Sequence, residues 1–273
     1  MTVAIPAPHS RYVFVGPQRL RVTVAGEGSD GIPLVLVNGI GATADLYDTL
    51  RSHLDSCVTV AFDAPGVNRS PAPAVPVTMG WYADMVAGMA ASLGHDRIDV
   101  IGVSWGGALV QELAWRHPRL VRRVILAATT PGLLGYPGRP AAMALLLTPA
   151  RYYSPTYLRR IAPTLYGGDI LDHPGLLAEH AYQRVHHAPS IIGYAYQLGA
   201  IMGFTSHRYL RRLSQPTLVL AGDDDPIIPL ANGRLLAALI PDANLHVVEG
   251  GGHLFLFTRA KEMAGLIEEF LDH

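Results

Sequence analysis

The chain has 273 residues, 49% of them apolar and 16% charged, with a formal net charge of −1. That length allows a sizeable buried core, and the composition excludes a disordered chain. A near-neutral balance gives little long-range attraction to nucleic acid, and no run approaches the roughly 18 apolar residues that would span a membrane.

The first residues, MTVAIPAPHSRYVF, carry no basic segment ahead of an apolar run, so no secretory signal is expected. Pro33 to Asn38 reads as a buried strand ending at Gly39, and Val58 to Asp63 as another, closed by Ala64-Pro65-Gly66. Thr78 to Leu93 has helical spacing and a Gly94 stop. Arg97 to Val103 is a third strand, Trp105 to Arg116 a helix halted at His117-Pro118, and Val124 to Ala128 a fourth strand. Strands alternating with helices predict a mostly parallel sheet. Cys57, the single cysteine, excludes an internal disulfide and is expected to be a small buried side chain.

Residues 131 to 213 break this rhythm. They hold helical fragments punctuated by Pro137, Pro140, Pro149, Pro155, Pro163 and Pro174. The strands resume at Pro216 to Gly222 and Ala243 to Val248, and an amphipathic helix, Ala260 to Leu271, closes the chain. The expectation is one α/β core, residues 1–130 and 214–273, interrupted by a helical cap over 131–213. Nine of the twelve tyrosines fall in that cap, with eight arginines against three acids. Its formal charge is therefore +5, which leaves −6 for the rest. This reads as a Tyr-lined groove with a basic rim, or as ordinary helix packing with solvated arginines. For most individual residues packing is the favoured reading.

The chemistry starts at Gly102-Val-Ser-Trp-Gly106, a G-x-S-x-G placed after a strand and before a helix. The turn is tight, so side chains at 102 and 106 would collide with backbone, and the hydroxyl of Ser104 is lifted clear of the sheet. A serine hydroxyl needs a base. Gly250-Gly-Gly-His253 offers one on a slim loop, late in the chain as the order Ser…Asp…His demands. The base needs an acid to hold its tautomer. Of the three carboxylates in Gly222-Asp-Asp-Asp-Pro226, the pattern G-x-x-D with a later proline, here Pro229, selects Asp225. Asp223 and Asp224 are expected to cap the loop. An oxyanion hole is expected from the N–H of Trp105 and that of Ile40, in Asn38-Gly-Ile-Gly41. Asp63, ahead of Ala-Pro-Gly, is read as a turn former. Metal-ligand spacing, a phosphate loop and a full dinucleotide fingerprint are missing, so no metal and no cofactor are expected.

Several segments carry a resemblance: Gly102 to Gly107, Asn38 to Gly41, Ile161-Ala-Pro-Thr-Leu-Tyr-Gly-Gly168, Pro216 to Pro226 and Gly252-His-Leu-Phe-Leu256. Together they make the chain similar to α/β-hydrolases, and among these it resembles the intracellular depolymerases of medium-chain-length poly(3-hydroxyalkanoate). The resemblance implies the α/β-hydrolase fold with an inserted helical cap, and a triad at Ser104, Asp225 and His253. It further implies 3-hydroxyacyl esters as substrates, and a cytoplasmic setting at a polyester granule. A general carboxylesterase or lactonase and a C–C bond hydrolase with the same triad stay open. So does a receptor or granule-coat protein with negligible turnover. Epoxide hydrolases and dehalogenases are disfavoured, because they need Asp at position 104. Oligomeric state is not legible.

Overall fold

The computed structural model describes residues 8–26, 31–54 and 57–272. The expectation of no secretory signal falls partly on residues 1–7, outside the described residues. The fold begins with a hairpin that the apolar pattern did not announce. β1 (His9–Val15) and β2 (Gln18–Ala25) pair antiparallel around a Gly16-Pro17 turn, with Gly16 at φ +56°. Such a two-residue loop needs a positive φ, which glycine supplies without a steric cost. β1 is mostly exposed, so the one-sided apolar alternation that would betray it is missing.

The chain continues through β3 (Leu34–Val37), the short helix α1 (Asp48–Arg51), β4 (Thr59–Phe62), α2 (Met79–Ser92), β5 (Ile98–Val103), α3 (Trp105–Arg116) and β6 (Val121–Ala127). Four α-helices follow: α4 (Pro140–Leu146), α5 (Pro155–Tyr166), α6 (Pro174–His186) and α7 (Ile191–Met202). The chain then returns to β7 (Thr217–Gly222), α8 (Leu230–Leu239), β8 (Ala243–Val248), α9 (Phe255–Thr258) and α10 (Ala260–Asp272). Three of the prolines that interrupt the pattern after residue 131 start helices, at Pro140, Pro155 and Pro174. Proline suits that position because its missing N–H would have no intrahelical partner there. No strand forms over 131–213, only an isolated bridge between Gly132 and Thr205.

The eight strands form one sheet in the order β1-β2-β4-β3-β5-β6-β7-β8. β3 to β8 are parallel, and β1 and β2 add an antiparallel edge. Alternate strand residues feed two cores. Val35, Val100, Val124 and Leu126 pack with Met89, Leu109 and Leu236 of α2, α3 and α8. Leu34, Leu36, Ile101 and Ile125 face the other way, with Leu158, Phe255 and Ile267 of α5, α9 and α10. A sheet buried on both faces explains why these strands read as continuous apolar runs. The order reverses at β3, which has β4 on one side and β5 on the other. The crevice beyond the carboxyl ends of β3 and β5 is therefore where a ligand is expected.

Two expectations need correction. Cys57 is half-buried against the second core rather than fully buried. Asp63 is more than a turn former: it is fully buried at the end of β4. Its Oδ1 accepts the Ala44 N–H at 2.8 Å, and its Oδ2 accepts from Asn68 at 2.8 Å and Arg21 at 3.2 Å. It thus ties the β3 loop, the β4 loop and the hairpin together. Asp63→Ala strands these donors and is expected to cost about 3 kcal/mol, read as a lower urea midpoint. An unchanged midpoint would show the tie to be dispensable. Among the described residues no helix is long and apolar enough to cross a membrane.

Candidate active site

Ser104 lies between β5 and α3 at φ +55°, ψ −117°. A non-glycine residue there stores of order 1–3 kcal/mol of strain, which its surroundings must hold. They do so through backbone. Ser104 N–H donates to Ala127 O at 2.9 Å, and Ser104 O accepts from Gly107 N at 3.0 Å and from Thr129 Oγ1 at 2.7 Å. Glycine is required on both sides. A Cβ at Gly102 would lie 2.3 Å from Gly106 O, and one at Gly106 would lie 2.2 Å from Val37 O. The spacing G-x-S-x-G is thus a steric demand of the turn at Gly102 and of the neighbouring β3 backbone at Gly106, and the sequence suggested such collisions at both.

His253 follows β8 on the Gly250-Gly-Gly loop. Its N–H donates to Tyr166 O at 2.7 Å, and its Nδ1 lies 2.7 Å from Asp225 Oδ2. The other oxygen, Oδ1, accepts the N–H groups of Ile227 and Ile228 at 2.8 and 2.9 Å. Asp225 is therefore a fixed acceptor, so the imidazole proton sits on Nδ1 and Nε2 keeps its lone pair. The neighbouring carboxylates do other work. Asp223 accepts the Gly250 N–H at 2.6 Å, while Asp224 accepts that of Gly168 at 2.9 Å and pairs with Arg139 at 3.1 Å. A Cβ at Gly252 would meet Gly167 O and Tyr166 O at 2.4 Å, so the end of α5 closes tightly over the loop that carries His253.

Ser104, Ile40 and His253 line one small cavity of about 50 Å³. Among the hydrogen bonds of the described residues there is none between Ser104 Oγ and His253 Nε2; the cavity, not a direct bond, brings them together. The Asn38 loop packs on the serine turn, since a Cβ at Gly39 would lie 3.6 Å from Ser104 Cβ. Among the described residues, the N–H groups of Ile40 and Trp105 meet no protein acceptor.

One residue that sequence reasoning missed holds both of these segments. Gln197, buried in α7, accepts the Gly41 N–H at 2.8 Å, and its backbone O accepts Trp105 Nε1–H at 2.9 Å. Its Nε2 donates to Pro65 O at 3.2 Å. The available signal was a lone amide in an otherwise apolar helix. Tyr152 also donates to Ile40 O.

A second cavity, about 430 Å³, opens from Ser104, Ile40 and Trp105. Its walls are mainly aliphatic, with Leu133, Met143, Leu146, Leu198, Ile201 and Ile228 among them. Of the nine tyrosines between 131 and 213, only Tyr136 and Tyr194 line it. Tyr152, Tyr166 and Tyr209 are buried. The groove reading therefore holds for Tyr136 and Tyr194, with Tyr166 lining the smaller cavity, while Tyr152 and Tyr209 pack and Tyr153, Tyr157 and Tyr182 are exposed. A larger, open hollow of about 980 Å³ runs along Thr49, His53 and α10, with none of these site residues in it.

Two more missed residues, Arg151 and Arg184, line the small cavity. Both guanidiniums sit 4.8 Å from the Tyr152 ring centre. Arg184 Nε–H donates to His180 Nε2 at 2.6 Å. Burial, with Arg184 and Arg151 adding to it, holds the His180 imidazole well below its usual range. It is therefore a neutral acceptor.

The α/β-hydrolase fold family matches over residues 32–260, and the chain belongs to that family. Within it, the chain resembles the poly(3-hydroxyalkanoate) depolymerases. It is 43% identical over 269 residues to a poly(3-hydroxyalkanoate) depolymerase of Ectopseudomonas oleovorans, covering 98% of this chain and 94% of that protein. It is 28% identical over 260 residues to a 2-hydroxymuconate semialdehyde hydrolase of Pseudomonas putida, covering 89% and 88%. Among solved structures, the enol-lactonase from Burkholderia xenovorans LB400 matches with a TM-score of 0.84 and 25% identity, over 96% of this chain and 100% of that one.

Proposed function

We propose that this carboxylic ester hydrolase works through an acyl-enzyme on Ser104 and releases medium-chain 3-hydroxy acids from poly(3-hydroxyalkanoate). The observation that carries the reading is the Asp225–His253 pair, 2.7 Å apart, sharing a cavity with a strained serine from which an apolar chamber opens.

His253 Nε2 takes the proton of Ser104 as Oγ attacks the ester carbonyl, and Asp225 stabilises the imidazolium. The N–H groups of Ile40 and Trp105 hold the oxyanion, at about 3–4 kcal/mol of transition-state stabilisation per donor. His253 then protonates the leaving 3-hydroxyl, and water activated by the same imidazole frees the acid. Residues 131–213 act as the cap that shapes the substrate chamber. Around it Leu133, Leu134, Tyr136, Leu147 and Met202 are all more than half exposed. Such an apolar rim suits a polyester granule surface in the cytoplasm.

The second reading is a carboxylesterase or lactonase on small apolar esters, favoured by the limited volume of the chamber. Hydrolysis of medium-chain polyhydroxyalkanoate latex beside 4-nitrophenyl esters from acetate to dodecanoate separates the two. Clearing with an optimum near octanoate is expected. Intact latex with brisk acetate turnover would leave only the second reading. Because the chamber is aliphatic, Leu198→Trp should cut octanoate turnover about tenfold or more relative to acetate. Equal loss on both esters would mean that the acyl chain lies elsewhere.

A further inference from the structure

Arg151 and Arg184 are 2% and 8% exposed, and among the described residues neither pairs with a carboxylate. Burying a guanidinium without a counter-charge costs several kcal/mol, so the arrangement requires another source of stabilisation. Arg151 finds part of it within the protein. It donates to Thr148 O at 3.2 Å, Leu145 O at 3.4 Å and Tyr194 Oη at 2.9 Å. Arg184 does not. Its Nε is used on His180, and its Nη1 is buried without an acceptor. The neutral His180 offsets none of the charge.

Both arginines line the cavity that holds Ser104 and His253. At about 50 Å³ it is too small for an alkyl chain, which the 430 Å³ chamber takes instead. A planar anion of carboxylate size suits it, because a guanidinium presents parallel donors matched to a carboxylate.

We infer that Arg184, backed by Arg151, forms a subsite for the free carboxylate at the acid end of a 3-hydroxyacyl oligoester, so that the enzyme removes units from that end. The inference rests on the ester-hydrolase reading and adds the direction of attack. In a 3-acyloxy acid the carboxylate carbon stands three bonds from the ester oxygen, within the span of a small cavity beside the nucleophile. Hydrolysis there consumes one water. The ester C–O bond breaks, the leaving oxygen takes a proton, and one 3-hydroxy acid departs with an oligomer shortened by one unit. Inside a polymer the same position holds an ester carbonyl, which cannot neutralise Arg184.

The test compares kcat/KM for the linear dimer of 3-hydroxyoctanoate with that for its methyl ester. The free acid should be preferred by about tenfold or more, as hydrogen bonds between charged groups allow, and Arg184→Gln should bring the ratio close to one. Equal rates in the unaltered enzyme, or a ratio that survives Arg184→Gln, would overturn the subsite. If the variant fails to fold, competition against 4-nitrophenyl octanoate decides, with 3-hydroxyoctanoate expected to inhibit more strongly than its methyl ester and equal inhibition overturning the idea. That nitrophenyl ester carries no carboxylate, so its turnover tests the ester-hydrolase reading separately. Were there no turnover at all, calorimetric binding of 3-hydroxyoctanoate, weakened by Arg184→Gln, would still decide the subsite.

Discussion

Ser104→Ala should lower ester turnover by about 10⁶-fold, down to what the oxyanion donors and binding provide without a nucleophile. The fold should survive. Ser104 is held by its backbone N–H and C=O, and those bonds remain when the hydroxyl is removed. Alanine at φ +55° carries the same strain as serine, so its urea midpoint should stay close to that of the unaltered enzyme. Ser104→Gly removes the strain and should raise stability by about 1 kcal/mol while abolishing turnover equally. Turnover of Ser104→Ala above about a thousandth of the starting rate would mean another nucleophile.

Asp225→Asn should cost about 10⁴-fold in kcat, far more than Asp223→Asn or Asp224→Asn. The reason lies in the two backbone donors. Ile227 and Ile228 N–H groups require an acceptor at the Oδ1 position, so an asparagine must turn its amide NH₂ towards His253. Nδ1 then becomes an acceptor and the proton moves to Nε2, which can no longer take one from Ser104. Asp223 and Asp224 instead brace Gly250 and Gly168, and their loss loosens a loop without changing the tautomer. Should Asp224→Asn prove the more damaging, the acid has been misassigned by one residue. Rates on 4-nitrophenyl octanoate for the three variants check this, with circular dichroism excluding unfolding.

The serine turn was readable because its requirements are local. Gly102 has no room for a side chain because Gly106 and Gly107 crowd it, a conflict contained within the turn, whereas the room denied to Gly106 is taken by the backbone at the end of β3, at Val37 and Asn38. The parallel strands were readable because burial on both faces leaves an unbroken apolar run. Asp225 stood out from its neighbours through chain order and loop pattern alone, and its placement 28 residues before His253 needed the fold of β7 and β8 to become a contact. The β1–β2 hairpin was hidden by exposure, and α8 by the weak amphipathicity of a helix that packs closely on β7 and β8.

The roles of Tyr152, Arg151 and Arg184 could not be read along the chain, and that of Gln197 was marked only by a lone amide in an apolar helix. Gln197 lies 156 residues from the N–H it holds, and Arg184 is 80 residues from the serine whose cavity it shares. Nothing in their own neighbourhood distinguishes the two arginines from solvated ones, and the tyrosines around them read mostly as packing. Local backbone geometry and apolar periodicity therefore determined the parallel strands, the serine turn and the chain order of Ser104, Asp225 and His253. The arrangement of the helices between β6 and β7 decided which polar side chains are buried around that turn. Burial is a property of distant surfaces brought together, and it is burial that sets Arg151 and Arg184 apart from solvated arginines.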